Sequence, residues 1–182
     1  MLILIGLLQA GLVASAAAEP RRIELTSGDT QVTFRAYGMG LLPIDARFAR
    51  FSGWLNYDPG DRHWCRVELR VETASLATED QSVRDTVAGP DFLDTVRYPM
   101  LGYTGACEAE TLGGMLAMHG VTRPFELSVQ WLPQSVEAEG RLLRADWGMT
   151  AMPLVGGRTV RIRVTVSLGA AGGADQPSRT KP

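Results

Sequence analysis

The side chains able to do covalent or metal chemistry are few in this chain. It carries two histidines, His63 and His119, and two cysteines, Cys65 and Cys107. A structural zinc site takes four such ligands at short spacings, which two cysteines cannot supply. A site built on His63 and His119 lacks a third ligand, and His63, in a Gly-Asp-Arg loop, reads as an exposed residue. There is no Gly-x-Ser-x-Gly elbow, no phosphate-binding loop and no His-Glu-x-x-His helix. Asp91, Asp94 and Asp146 are scattered without the pairing that marks the acid and base of a glycosidase. Asp146, between Arg144 and Trp147, reads as a turn or ion-pair residue. No catalytic or metal-binding residue is assigned, and no cofactor is implied.

Charge removes another class. The 182 residues hold 18 Lys+Arg against 20 Asp+Glu, a formal charge of −2. Nucleic-acid affinity comes mainly from clustered cations, so nucleic acid is not expected as a partner. A hydrophobic content of 45% is that of a folded domain. The first eighteen residues carry no charged side chain: Leu2 to Val13 is apolar, and Ala14-Ser15-Ala16 and Ala16-Ala17-Ala18 both fit a small-x-small cleavage site. The apolar run is shorter than the roughly 20 residues that span a bilayer. Residues 1–18 therefore read as a signal peptide, with a mature chain from Glu19 exported to the periplasm.

What positions any site is a set of alternating runs. Val160, Ile162, Val164, Val166 and Leu168 alternate with Arg161, Arg163, Thr165 and Ser167. Period two means a sheet with one dry and one wet face. Cys65–Glu72 repeats the pattern through Val67, Leu69 and Val71, and Phe125–Trp131 does so through Leu127 and Val129. Weaker candidates are 30–37, 51–57, 100–107, 114–119 and 142–147. Strands parted by Gly, Pro and Asp point to an antiparallel barrel or sandwich. One helical excursion interrupts them: Thr78 with Gln81 fits a capping box for a helix over about 79–87, ended by Gly89-Pro90, where glycine takes a left-handed turn, with a second turn near 91–95. Residues 169–182 lose all periodicity and read as a disordered tail.

Several of these stretches, in order, resemble the YceI-like family of exported lipid-binding proteins. Arg47-Phe48-Ala49-Arg50-Phe51-Ser52-Gly53 resembles its early Gly-x-Phe-x-x-Phe-x-Gly signature, with Arg47 where a glycine is expected. Gly89-Pro90-Asp91-Phe92-Leu93-Asp94 with Tyr98-Pro99 is similar to its central segment. Gly114-Met115-Leu116-Ala117-Met118-His119-Gly120-Val121-Thr122-Arg123-Pro124 resembles its most specific motif, and Arg144-Ala145-Asp146-Trp147-Gly148-Met149 its end. The resemblance implies a lipocalin-like antiparallel β-barrel of about eight strands over residues 19–168. It implies an elongated apolar pocket for a polyisoprenoid or similar long-chain lipid, and no catalytic residues.

The residues alone lead to a compatible interior. Phe34, Phe51, Leu69, Leu101, Tyr103, Leu116, Met118, Phe125, Leu127, Ile162 and Val164 have inward parity. They either line a pocket or fill a ligand-free core. Met118, with Met100 and Met149, suits a wall that adapts to a flexible chain, and suits ordinary packing equally. His119 is a candidate contact to a lipid headgroup or a residue fixing the Gly120 turn, and Arg123 is a candidate partner for a diphosphate or a solvated cation. Cys65 and Cys107 share the parity of apolar neighbours on strands flanking the excursion. They read either as a disulfide, which export permits, or as two buried thiols.

The expectation is an exported carrier of a polyisoprenoid, isoprenoid quinone or related lipid, monomeric or homodimeric, in transient contact with membranes and performing no covalent chemistry. Its rivals are an envelope protein whose barrel is filled by its own side chains, and an enzyme using His119 or an acid as base on such a lipid.

Overall fold

Eleven strands and one helix follow one another in the computed structural model, which describes residues 19–38, 42–151 and 157–169. In chain order they are β1 (Arg21–Glu24), β2 (Thr30–Gly38), β3 (Leu42–Phe48), β4 (Phe51–Tyr57), β5 (Cys65–Glu72), β6 (Leu76–Ala77), α1 (Gln81–Ala88), β7 (Met100–Glu108), β8 (Thr111–Met118), β9 (Val121–Trp131), β10 (Ser135–Leu143) and β11 (Thr159–Ser167). Residues 1–18 and all but the first residue of the expected tail lie outside the described residues.

Every pairing is antiparallel, in the order β1-β4-β5-β7-β8-β9-β10-β11-β2-β3-β6. The count of eleven against an expected eight comes from bends. Only Ala49 and Arg50 part β3 from β4, the turn at Thr26–Asp29 parts β1 from β2, and a 3-10 turn at Thr73–Ser75 parts β5 from β6. Hydrogen bonds carry across these corners: Leu25 N–H donates to Gly53 O, Glu72 N–H to Arg50 O and Ala49 N–H to Ser75 O. Each bent pair behaves as one long strand, which leaves eight lengths. Pairing of β11 with β2, six residues deep from Arg161↔Arg35 to Val166↔Thr30, returns the sheet to its start. The chain is thus an antiparallel, mainly β barrel.

The structure corrects three local expectations. Helix α1 starts later than expected, because Asp80 rather than Thr78 is its cap: the Asp80 carboxylate accepts from Ser82 N–H at 2.7 Å and Val83 N–H at 3.3 Å. Gln81, freed from a capping box, donates to Asp85 at 2.8 Å. At its far end Gly89 is extended (φ −73°, ψ 174°), not left-handed. The strand expected over 142–147 is the tail of β10 followed by a 3-10 turn at Arg144–Trp147, closed by Gly148 in the left-handed region (φ 76°).

The two ends of the barrel differ. At one end Leu25, Leu55, Tyr57, Val129, Val136 and Val166 are buried together, and the Tyr57 and Trp131 rings meet at 5.4 Å. There β5 pairs with β7 so that Arg66 faces Ala106, and the next pair along is Cys65 with Cys107. They form a disulfide with Cα atoms 4.8 Å apart. At the other end the hairpin β8–β9 turns through His119 and Gly120, both at positive φ (52° and 75°). That is the pair of conformations a two-residue type I′ turn requires.

Candidate functional site

The wide end of the barrel is hollow. A cavity of about 1250 Å³ is bounded by β2, β3, β11, the inner faces of β7 to β9, and α1. Alternation decides which side chains reach it. From β2 come Val32 and Phe34, from β11 Val160, Ile162 and Val164, from β8 Leu116 and Met118, and from β9 Phe125 and Leu127. Leu69, Leu101 and Tyr103 complete the wall, and Val83 and Val87 of α1 cover it. Several of these point inward and are still only half-buried, Phe34, Leu101, Ile162 and Val164 among them. An inward apolar side chain that stays accessible has empty space in front of it. Among the described residues, the side chains do not fill the barrel at this end.

The opening follows from the sheet. Among the described residues β6 pairs with β3 only at Arg47 and Phe48, which leaves Leu42–Ala46 as an edge without a partner on that side, where Pro43 is tolerated. Pro43, Ile44 and Asp45 of that edge and Thr78, Glu79 and Ser82 beside α1 all border the cavity. At the rim of this opening Arg35 and Asp45 form an exposed two-pronged ion pair at 2.6 and 2.8 Å, which holds the Asp45 carboxyl below its usual range. Glu139 is lowered in the same way, first by its bond to Arg163 at 2.6 Å.

The floor is Tyr103. Its hydroxyl lies 2.9 Å from Leu112 O and 3.1 Å from Phe125 O, and its one proton serves both carbonyls. The ring crosses β8 at Gly114, where a Cβ would come within 2.7 Å of the phenol oxygen. Tyr103, Leu69, Leu127 and Val164 border both the large cavity and a second, wholly apolar void of about 50 Å³ beneath it. Burial pushes the phenol well above its ordinary pKa, so it stays neutral.

A model of the YceI-like domain matches residues 24–169. The chain belongs to the YceI-like family. Among YceI-like relatives, Protein YceI of an Escherichia coli strain is 25% identical over 164 residues, covering 80% of this chain and 86% of its own length. Solved structures repeat the fold at lower identity. Burkholderia cenocepacia BcnA superposes with a TM-score of 0.63 at 17% identity, over 76% of this chain and 95% of that one. A Saccharophagus degradans polyisoprenoid-binding domain, implicated in plant cell wall breakdown, superposes at 0.56 and 14% identity, over 80% and 98%.

On this YceI-like barrel the expected inward residues can be placed one by one. Phe34, Leu69, Leu101, Tyr103, Leu116, Met118, Phe125, Leu127 and Ile162 all border the cavity. Phe51 does not; it sits at the bend against Val71 and packs on the core. Met149 borders the cavity, whereas Met100 is 48% exposed on the outside. The two candidate headgroup residues lie elsewhere. His119 is in the hairpin turn, its Nδ1 3.0 Å from Trp147 O and its ring 4.5 Å from that of Tyr98. Arg123 is exposed and does not border the cavity. The family motif around them thus builds a corner: it ties the β8–β9 turn to Trp147, whose Nε1–H donates to Leu116 O at 3.3 Å.

Residue-type reasoning missed Arg144. It is 5% exposed, borders the cavity, and donates to three carbonyls: Gly157 O at 2.7 Å, Met149 O at 3.2 Å and Ala151 O at 3.2 Å. Its guanidinium carbon stands 4.8 Å over the Phe92 ring. The sequence offers Arg144 only as a neighbour of Asp146 and as the first residue of the closing motif, and neither reading assigns it to a cavity wall.

Proposed function

We propose that this protein is an exported lipid-binding protein that sequesters or carries a long-chain isoprenoid lipid, a polyisoprenoid or isoprenoid quinone, in its barrel. One observation carries the reading: the wide end holds an apolar cavity whose inward side chains remain accessible. Each methylene moved from water onto such a wall contributes about 0.8 kcal/mol, so a few isoprene units give firm binding without covalent chemistry. The polyisoprenoid-binding domain among its structural neighbours supports the same ligand class. The periplasm is the compartment proposed, in keeping with the Cys65–Cys107 disulfide. The protein works as a binder rather than an enzyme, loading as a monomer or homodimer in transient contact with membranes.

The test is an organic extract of protein purified from its native host, analysed by mass spectrometry. Stoichiometric prenyl lipid is the expected result. An empty extract from protein that also fails to take up added lipid overturns the reading. Conversion of an added lipid to a new product replaces it with an enzyme.

A further inference from the structure

Resting on the lipid-binding reading, we infer that Arg144 is the headgroup site of the cavity, and that the ligand it selects carries an anionic oxygen, phosphate or carboxylate, at the end of its apolar chain. Arg144 is 5% exposed and stands in the wall of an apolar cavity. A guanidinium has five N–H donors. Three of them meet the carbonyls of Gly157, Met149 and Ala151, leaving two without a partner among the described residues. None of the ion pairs of the described residues includes Arg144, and the neighbouring undescribed residues 152–156 contain no acid. Carbonyl dipoles and the Phe92 ring soften the charge without neutralising it. A buried cation lacking a counter-charge is costly, and a ligand that brings one recovers that cost on binding. Two spare donors of a planar fork fit two oxygens of one phosphate or carboxylate.

The position suits a head opposite a tail. Arg144 N–H donates to Arg158 O, just before β11 begins. From there β11 runs to Val164, which shares the floor with Tyr103. At about 3.3 Å per residue this leaves about 17 Å of apolar wall between head site and floor.

Geranylgeranyl phosphate and geranylgeraniol share a chain and differ in the head; palmitate and hexadecanol form a second pair. Each is titrated calorimetrically onto the purified full chain, with inorganic phosphate as a chain-free anion. The expected result is at least tenfold tighter binding of the acid member of each pair and no binding of inorganic phosphate. In Arg144→Gln the preference should fall below about threefold, and in Arg144→Lys it should persist in part. If Arg144→Gln does not fold, the wild-type pairs and Arg144→Lys still decide. Equal affinities within both wild-type pairs overturn the head site while leaving lipid binding intact, as does a full preference retained by folded Arg144→Gln. Tight binding of inorganic phosphate also overturns it, in favour of a free-anion site. Failure of all four lipids to bind overturns the lipid-binding reading itself, and the head site with it.

Discussion

Tyr103 meets Phe125 twice: its hydroxyl lies 3.1 Å from the Phe125 carbonyl, and the two rings stand at 90° with centroids 6.4 Å apart. The phenol is thereby held flat across the barrel between the cavity and the void beneath it. Tyr103→Phe removes the proton serving Leu112 O and Phe125 O and should cost about 1–2 kcal/mol in denaturant unfolding. The pH dependence has a definite sign. The folded-state pKa of Tyr103 is raised by burial, so its contribution is complete below the unfolded value of about 10. It is lost as pH rises beyond that, by up to about 1.4 kcal/mol per pH unit. Unfolding midpoints measured above pH 10 should fall more steeply in wild type than in Tyr103→Phe.

Met118 borders the cavity and is buried. Met118→Trp should fill ligand space and abolish most co-purifying lipid, while thermal unfolding stays cooperative at a similar temperature. An overpacked core would instead lose about 1–3 kcal/mol. Arg123→Ala, on an exposed residue outside the cavity, is the matched control and should leave lipid content unchanged.

The disulfide closes a loop with a sequence separation of 42. The chain-entropy relation gives about 4 kcal/mol for a loop of that size. Cys65→Ala with Cys107→Ala should lower unfolding stability by about that amount. The cavity lies at the other end of the barrel, so lipid content should change little; a thiol-labelling assay on unfolded, unreduced wild type should find no free thiol.

Asp80→Ala removes the cap of α1 and should cost about 1 kcal/mol, whereas Thr78→Ala should cost much less. Because Val83 and Val87 cover the cavity, the Asp80 variant should also release bound lipid faster. Stopped-flow transfer to acceptor vesicles measures that rate.

Strands with large inward residues were legible, since Cys65–Glu72 and Thr159–Ser167 alternate without a break. Strand β10 was not, because its inward positions run Val136, Ala138, Gly140 and Leu142. The small residues erase the period for a packing reason: a Cβ at Gly140 would come within 2.7 Å of Leu127 and 2.8 Å of Phe125. Strand β3 was hidden by Pro43 and Asp45, which read as loop and are admitted where that edge has no partner among the described residues. Ten of the eleven residues given inward parity border the cavity, because parity fixes the face. Parity says nothing of depth along the barrel. It therefore could not separate Phe51 at the bend from Phe34 in the wall, nor find Arg144 beyond the end of a strand.

The three bends at Thr26–Asp29, Ala49–Arg50 and Thr73–Ser75 fall on neighbouring lengths of the sheet, at one level. Together they form a crease running part-way round the barrel, with the disulfide-tied half below and the hollow half above. The other five lengths, β7 to β11, run through that level unbroken. The crease therefore turns the sheet without dividing it, and the hollow half stands on the disulfide-tied half as a cup stands on its own stem.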